Sequence, residues 1–177
     1  GLLREGLAFD QCDVAIVTNL GAGDHLGLNY ITTLEDLKVL KRVIVLNVAP
    51  TGTAVLNAAD PAVVAMAPHC PGSVTFFAQD GHHPVIATHM AQGKRVVFVD
   101  HGDIVCVEGG FMKRLPLARV PLTRKGQIGF QVENTMASVA AAWAVGLSWD
   151  VIQKGLSSFI SDLHGVPGRF NVFDYRG

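Results

Sequence analysis

The chain has 177 residues, a formal net charge of -1 and 16% charged residues, a balance that supplies no basic stripe for nucleic acid. Its 49% of hydrophobic residues can bury the core of one domain, and no apolar run approaches the roughly 18 residues that a membrane span requires. The N-terminus has no basic region ahead of a long apolar stretch, so no secretory leader is expected, and three scattered cysteines without a C-x-x-C pair fit a reducing, cytoplasmic setting with inert thiols.

Leu2, Leu3, Leu7 and Phe9 are compatible with a helix end packed ahead of a strand over residues 14–17. That strand runs into Thr18-Asn19-Leu20-Gly21-Ala22-Gly23-Asp24-His25-Leu26-Gly27-Leu28, a glycine-rich turn. Open α/β sheets bind ligands beyond the carboxyl ends of their strands, so Asp24 and His25 are delivered where a carboxylate and an imidazole can ligate a divalent metal or share a proton. A plain strand-to-helix turn with a surface histidine is the alternative.

Thr32-Thr33-Leu34-Glu35 has the spacing of a capping box, which predicts a helix from there to about Val45, before Pro50 and Gly52 break it. Lys38 and Lys41 project from this helix, and a solvated charge is the default for each. A short strand over 54–56 ends in Asn57-Ala58-Ala59-Asp60-Pro61, where Asp60 suits an N-cap and Pro61 the first helical position. A short helix to about Ala67 and a strand over 74–77 complete another αβ unit.

From Asp80 to Val120 glycine is frequent and short β-like runs recur at 95–99, 104–107 and 111–117, with Asp100-His101-Gly102-Asp103 as a hairpin turn. This reads as an antiparallel insert or edge rather than a continuing parallel sheet. His82, His83, His89 and His101 fall within it without helical zinc spacing, so surface histidines are expected. Gly129-Phe130-Gln131-Val132-Glu133-Asn134 opens an alanine-rich helix, and Gln131 and Asn134, three residues apart, share a face where amides cap the helix or pair with an adenine edge. Ser148 suits the cap of a last helix over 149–159, with Val151 or Ile152, Leu156 and Phe159 as its apolar face. After a loop at 162–165, Val166-Pro167-Gly168-Arg169-Phe170-Asn171 reads as a turn. The expected fold is α/β: a mainly parallel sheet holding the strands at 14–17 and 54–56, flanking helices and a small antiparallel β insert.

The string from Thr18 to Leu28 resembles the Thr-Asn-apolar-x-x-Asp-His-apolar signature of the Mur ligase superfamily of ATP-dependent amide ligases, with one residue more between Thr18 and Asp24. Asn57-Ala58-Ala59-Asp60-Pro61 is similar to its Asn-Ala-Asp-Asp-Pro motif, with Ala59 at the third position. Gln131 and Asn134 match its His-(Asn/Gln)-x-x-Asn-x-x-x-Ala helix, with Phe130 at the His position, and Pro167-Gly168-Arg169-Phe170 resembles its hinge. The Gly-x-Gly-Asp-His-Leu-Gly form is similar to that of the branch that polymerises aspartate and arginine.

The resemblance implies that residues 1–165 are part of the central ATP-binding domain of such a ligase and that 166–177 are the hinge and first strand of its C-terminal domain. No P-loop sequence G-x-x-x-x-G-K-[ST] occurs in the 177 residues, so a fragment inactive by itself is expected. The implied chemistry of the intact cytoplasmic enzyme is phosphorylation of a carboxylate by ATP with Mg2+, then attack of an amine on the acyl phosphate. In the branch named above, arginine would join the aspartate side chain of the growing polymer. Partners would be an amino acid and a polymer or peptide acceptor in a homo-oligomeric parent, with neither nucleic acid nor membrane. By the same resemblance His25 ligates metal, and Lys41, sixteen residues after it, or Lys38 as the weaker match, reaches back toward that metal, with carbamylation possible. Asn57, Asp60, Gln131, Asn134 and Arg169 would contact the nucleotide. A peptidoglycan-type ligase, or a non-catalytic module that keeps the fold, are the alternatives.

Overall fold

Runs rich in valine, alanine and phenylalanine become strands because such side chains suit a pleated surface covered on both faces. In the computed structural model, which describes residues 6–21, 27 and 31–160, they are β1 (Cys12–Val17), β2 (Val48–Asn57), β3 (Ser73–Asp80), β4 (Val96–Asp100), β5 (Asp103–Glu108) and β6 (Phe111–Pro116). Among the described residues they form one sheet in sequential order. β1 to β4 pair parallel with one another, and β4, β5 and β6 pair antiparallel. The sheet is therefore mainly parallel with an antiparallel extension, and the strands expected at 14–17 and 54–56 are parallel neighbours.

Parallel neighbours need crossover connections, and right-handed crossovers that all step the same way lie on one face. Here they are α1 (Leu34–Leu46), α2 (Pro61–Val64) with the 3-10 turn Ala67–His69, and α3 (Pro84–Ala91). Leu37, Val45, Val63, Met66 and Ile86 from this layer pack on Ala15, Val17, Ala54, Leu56, Phe76 and Val96. The alternate strand residues Val55, Phe77, Val97, Ile104 and Cys106 meet Val132, Met136, Ala140, Trp143 and Ile152 of α4 (Gly129–Ala144) and α5 (Trp149–Ser158) on the other face. Strands β1 to β5 thus feed two cores through their period of two.

Several local expectations change. The capping box of α1 lies one residue later than predicted: Thr33 Oγ1 accepts the Asp36 N–H at 3.1 Å, and the Asp36 carboxylate accepts the Thr33 N–H at 3.0 Å. Bonds to the Thr33 side chain and backbone hold the Asp36 carboxyl below its ordinary value. Glu35 instead pairs with Lys38 at 3.1 Å. Pro50 and Gly52 fall inside β2 rather than between elements. The register against β1 jumps there from Cys12↔Val48 to Val14↔Thr53, an irregular stretch in which a proline is tolerated.

The largest departure is α3, in a stretch for which no element was expected. His83 caps it, with Nδ1 accepting the Val85 N–H at 3.3 Å, and Pro84 takes the first helical position. A helix is needed there because β4 runs parallel to β3, so the connection has to return across the sheet. β4 belongs to both halves, and the antiparallel strands form the edge of the same sheet, one of the two forms expected. Its Asp100–Asp103 turn is as expected, with Gly102 at φ +81°.

Candidate functional site

β2 ends at Asn57, which is 4% exposed and projects to the α4 face, two residues beyond Val55. Its Oδ1 accepts the Ala59 N–H at 2.9 Å, and the Ala58 N–H donates to the Phe77 carbonyl at 2.8 Å, so this turn is tied to β3. The side-chain nitrogen of Asn57 has no hydrogen-bond partner among the described residues.

α4 begins beside the carboxyl end of β3, where Gln79 Nε2 donates to Glu133 Oε1 at 3.0 Å and to the Gly129 carbonyl at 3.5 Å. Gln131 is 8% exposed and lies on the sheet-facing stripe of α4 with Val132, Thr135 and Met136. Asn134 Nδ2 donates to Gln131 Oε1 at 3.1 Å, as spacing of three on one helix face allows. That bond occupies the Gln131 oxygen and leaves its Nε2 as the outward donor. Gln131 and Asn57 therefore face the same side of the sheet near its carboxyl edge, the arrangement expected of residues that share a crevice.

Asp60 caps α2: Oδ1 accepts the N–H groups of Ala62 at 2.9 Å and Val63 at 3.3 Å, as its position before Pro61 predicts. Its Oδ2 accepts the Leu20 N–H at 2.7 Å, from the loop that follows β1. Nothing in the local sequence signalled that second bond.

The two lysines of α1 are both half-buried: Lys38 pairs with Glu35 at 3.1 Å, and Lys41 lies one turn after Leu37 and one before Val45, both buried. Lys41 starts about 10 Å below the first residue of α1 at 1.5 Å per residue, but helical side chains lean toward the N-terminus, which here is the carboxyl edge of the sheet. His25 and Arg169 lie outside the described residues, as do Asp24 and the expected hinge. Among the described residues no three His, Cys, Asp or Glu side chains are grouped to hold a metal ion.

Chemistry that sequence spacing missed lies at the other end of the strands. A cleft of about 830 Å³ is lined by Thr53, Ser73, Thr75, His89 and Lys94, at the amino ends of β2, β3 and β4. His89 was expected at the surface but is 8% exposed: Nε2 meets the Val74 carbonyl at 2.8 Å, and Phe76 packs edge-on at 4.9 Å. Burial pushes its pKa down. The apolar face of α3, unread in the sequence, carried that histidine inward. The buried Cys106 thiol is pushed up to about 12 by desolvation, which disfavours the reactive thiolate, whereas Cys12 and Cys70 are half-buried.

Residues 4–142 match the family model of the Mur ligase middle domain. The chain belongs to the Mur ligase family. It is 39% identical over 175 residues to the cyanophycin synthetase of a Synechocystis strain, a match covering 98% of this chain and 20% of that protein. To the UDP-N-acetylmuramoylalanine--D-glutamate ligase of Desulfitobacterium hafniense it is 34% identical over 150 residues, 84% of this chain and 29% of that protein. The solved structure of MurF from Acinetobacter baumannii shares the fold with a TM-score of 0.61 at 23% identity, over 93% of this chain and 32% of that one. The chain spans about a fifth of the length of the cyanophycin synthetases it matches.

Within this Mur ligase middle domain, the family match takes in His25, Lys41, Asn57, Asp60, Gln131 and Asn134 and stops short of Arg169. No helix among the described residues is long and apolar enough to cross a membrane.

Proposed function

We propose that this chain is part of the central domain of a longer ATP-dependent amide ligase, from the branch that joins arginine to the aspartate side chain of a growing polymer. The observation that carries the reading is the gradient of similarity: 39% identity across 98% of the chain to a cyanophycin synthetase, against 34% across 84% to the D-glutamate ligase. Residues 1–165 then belong to the ATP-binding domain and 166–177 to the hinge and first strand of the next. The fragment alone makes no amide bond.

The amide of Gln131, oriented by Asn134, and the Asn57 side-chain nitrogen offer hydrogen bonds to an adenine edge. Arg169 would approach the phosphates. In the reaction a carboxylate oxygen attacks the γ-phosphorus, ADP leaves, the amine attacks the acyl phosphate carbon, and phosphate and a proton depart. Negative charge grows at phosphate oxygens in the first step, so cationic groups fixed beside them stabilise it. His25 and the half-buried Lys41 are the residues we assign to that end, with Asp60 nearby. The described residues supply no donor set for Mg2+, and His25 is the ligand this chain would offer it.

The test uses the full-length parent with ATP, Mg2+, an aspartate-bearing primer and arginine. ADP release should depend on both primer and arginine, and His25→Ala should lower it about 100-fold, the usual range for losing one electrostatic contact to a transition state, with an unchanged circular dichroism spectrum. ADP release that follows D-glutamate and a muramoyl acceptor instead would move the chain to the peptidoglycan branch.

A further inference from the structure

We infer that Asp60 acts as a positioning residue, and that its second carboxylate oxygen fixes the chain at Leu20, just after β1, relative to the nucleotide side of the sheet. The inference rests on the ligase reading above and assigns Asp60 a role different from direct contact with the nucleotide.

The geometry is a clamp between two adjacent parallel strands. β1 and β2 are in register at Val17↔Leu56, so the chain leaving each emerges side by side. Three residues after Val17, the Leu20 N–H donates to Asp60 Oδ2 at 2.7 Å, while its side chain, 9% exposed, enters the core under α1 to α3. Four residues after Leu56, Asp60 stands on a rigid base. The Ala58 N–H is bonded to Phe77, the Ala59 N–H to the Asn57 side chain, and Oδ1 caps α2 through Ala62 and Val63. Its two oxygens accept three backbone N–H groups, so little of the carboxylate remains for a ligand. Leu20 is held at both its main chain and its side chain, and His25 follows five residues later.

Asp60→Asn separates the two jobs of the carboxylate. The asparagine oxygen keeps the cap, which involves two N–H groups, and its NH2 then faces the Leu20 N–H, donor against donor. Asp60→Ser caps the helix through a shorter side chain that falls short of Leu20, and should behave in the same way.

In the full-length parent, hydrogen exchange at the Leu20 amide should quicken about tenfold in both variants, as expected for one lost hydrogen bond of about 1.4 kcal/mol, while Ala62, Val63 and Leu56 stay as they were. The kcat for arginine-dependent ADP release should fall about tenfold with the KM for ATP within about twofold, because the adenine contacts lie on Gln131 and Asn57. Unchanged exchange at Leu20 overturns the inference. So does a raised KM for ATP with kcat retained, which would make Asp60 a nucleotide contact, or quicker exchange with kcat intact. A wild-type parent without arginine-dependent ADP release would defeat the ligase reading instead, and the exchange measurement would still report whether Asp60 holds Leu20.

Discussion

In β2 and β3, neighbouring residues are buried on opposite faces, Leu56 and Phe76 under α1 to α3 and Val55 and Phe77 under α4, whereas β6 leaves Met112 58% and Phe111 41% exposed. The parallel half therefore reads as continuous apolar runs, and its stability comes from area removed from water. The antiparallel extension is held at its rim by charge and aromatic contact. Arg114 bonds to Asp100 and Asp103, Arg95 pairs with Glu108 at 2.9 Å, and the Arg95 guanidinium lies 4.6 Å from the centre of the Trp143 ring. Phe111, Trp143 and Trp149 cluster with ring centres 5.4 to 5.9 Å apart, Phe111 stacked on Trp149 and the other pairs tilted. Exposed ion pairs contribute little, so this rim should differ sharply from the parallel half in what a single substitution costs.

Phe77→Ala should give the largest effect, since Phe77 is fully buried in the middle of the sheet. A loss of about 3–5 kcal/mol is expected from the removed area and the cavity left behind, read from the urea midpoint. A loss below about 1 kcal/mol would mean that the α4 face collapses around the gap and that the parallel half is not close-packed.

A smaller effect follows from pH, and it separates the halves by range. His89 is under the parallel half, where burial first, and Lys94 to a lesser degree, depress its pKa below 6.5. The folded protein keeps it neutral while the unfolded chain takes up a proton. Its stabilising contribution is complete above pH 6.5 and is lost as pH falls through the lower folded value. Urea midpoints should therefore decline on mild acidification, and His89→Asn should flatten that slope. A wild-type midpoint constant from pH 7 to 5 would contradict the buried neutral ring.

The smallest change belongs to the extension. The Arg114 guanidinium beside Asp100, with His101 also in contact, holds that carboxyl below 3.8. Its contribution is complete above pH 3.8 and disappears as pH falls through the lower folded value, so it matters only in strong acid. Arg114→Ala should leave the urea midpoint at pH 7 almost unmoved, and the Asp100 carboxyl, followed by NMR, should titrate at a higher pH. An unshifted Asp100 titration would show that the guanidinium does not set it.

How much of this was legible varied with the range of the interaction. Asp60 before Pro61, Ser148 before Trp149 and the Asp100–Asp103 turn are local chemistry and appear where the sequence placed them. At the last helix, Ile152 is the buried residue of the expected apolar face, while Val151 and Phe159 are exposed. α3 was missed because eight residues carry barely two turns of periodicity, although His83-Pro84 marked its start. The capping box slipped by one position because two threonines stand in tandem and Asp36 reaches back as well as a glutamate would.

At the candidate site, the shared face of Gln131 and Asn134 followed from a spacing of three on one helix, and their hydrogen bond bears it out. Amino-acid order thus determined the strands, the caps and the parity that sends Asn57 to the α4 face, since those depend on contacts within a few residues of chain. Only tertiary structure decided that His89 is buried and that Asp60 holds Leu20 across 40 residues. These depend on which elements the sheet brings side by side, and a hydrogen bond between two loops leaves no periodicity in either one.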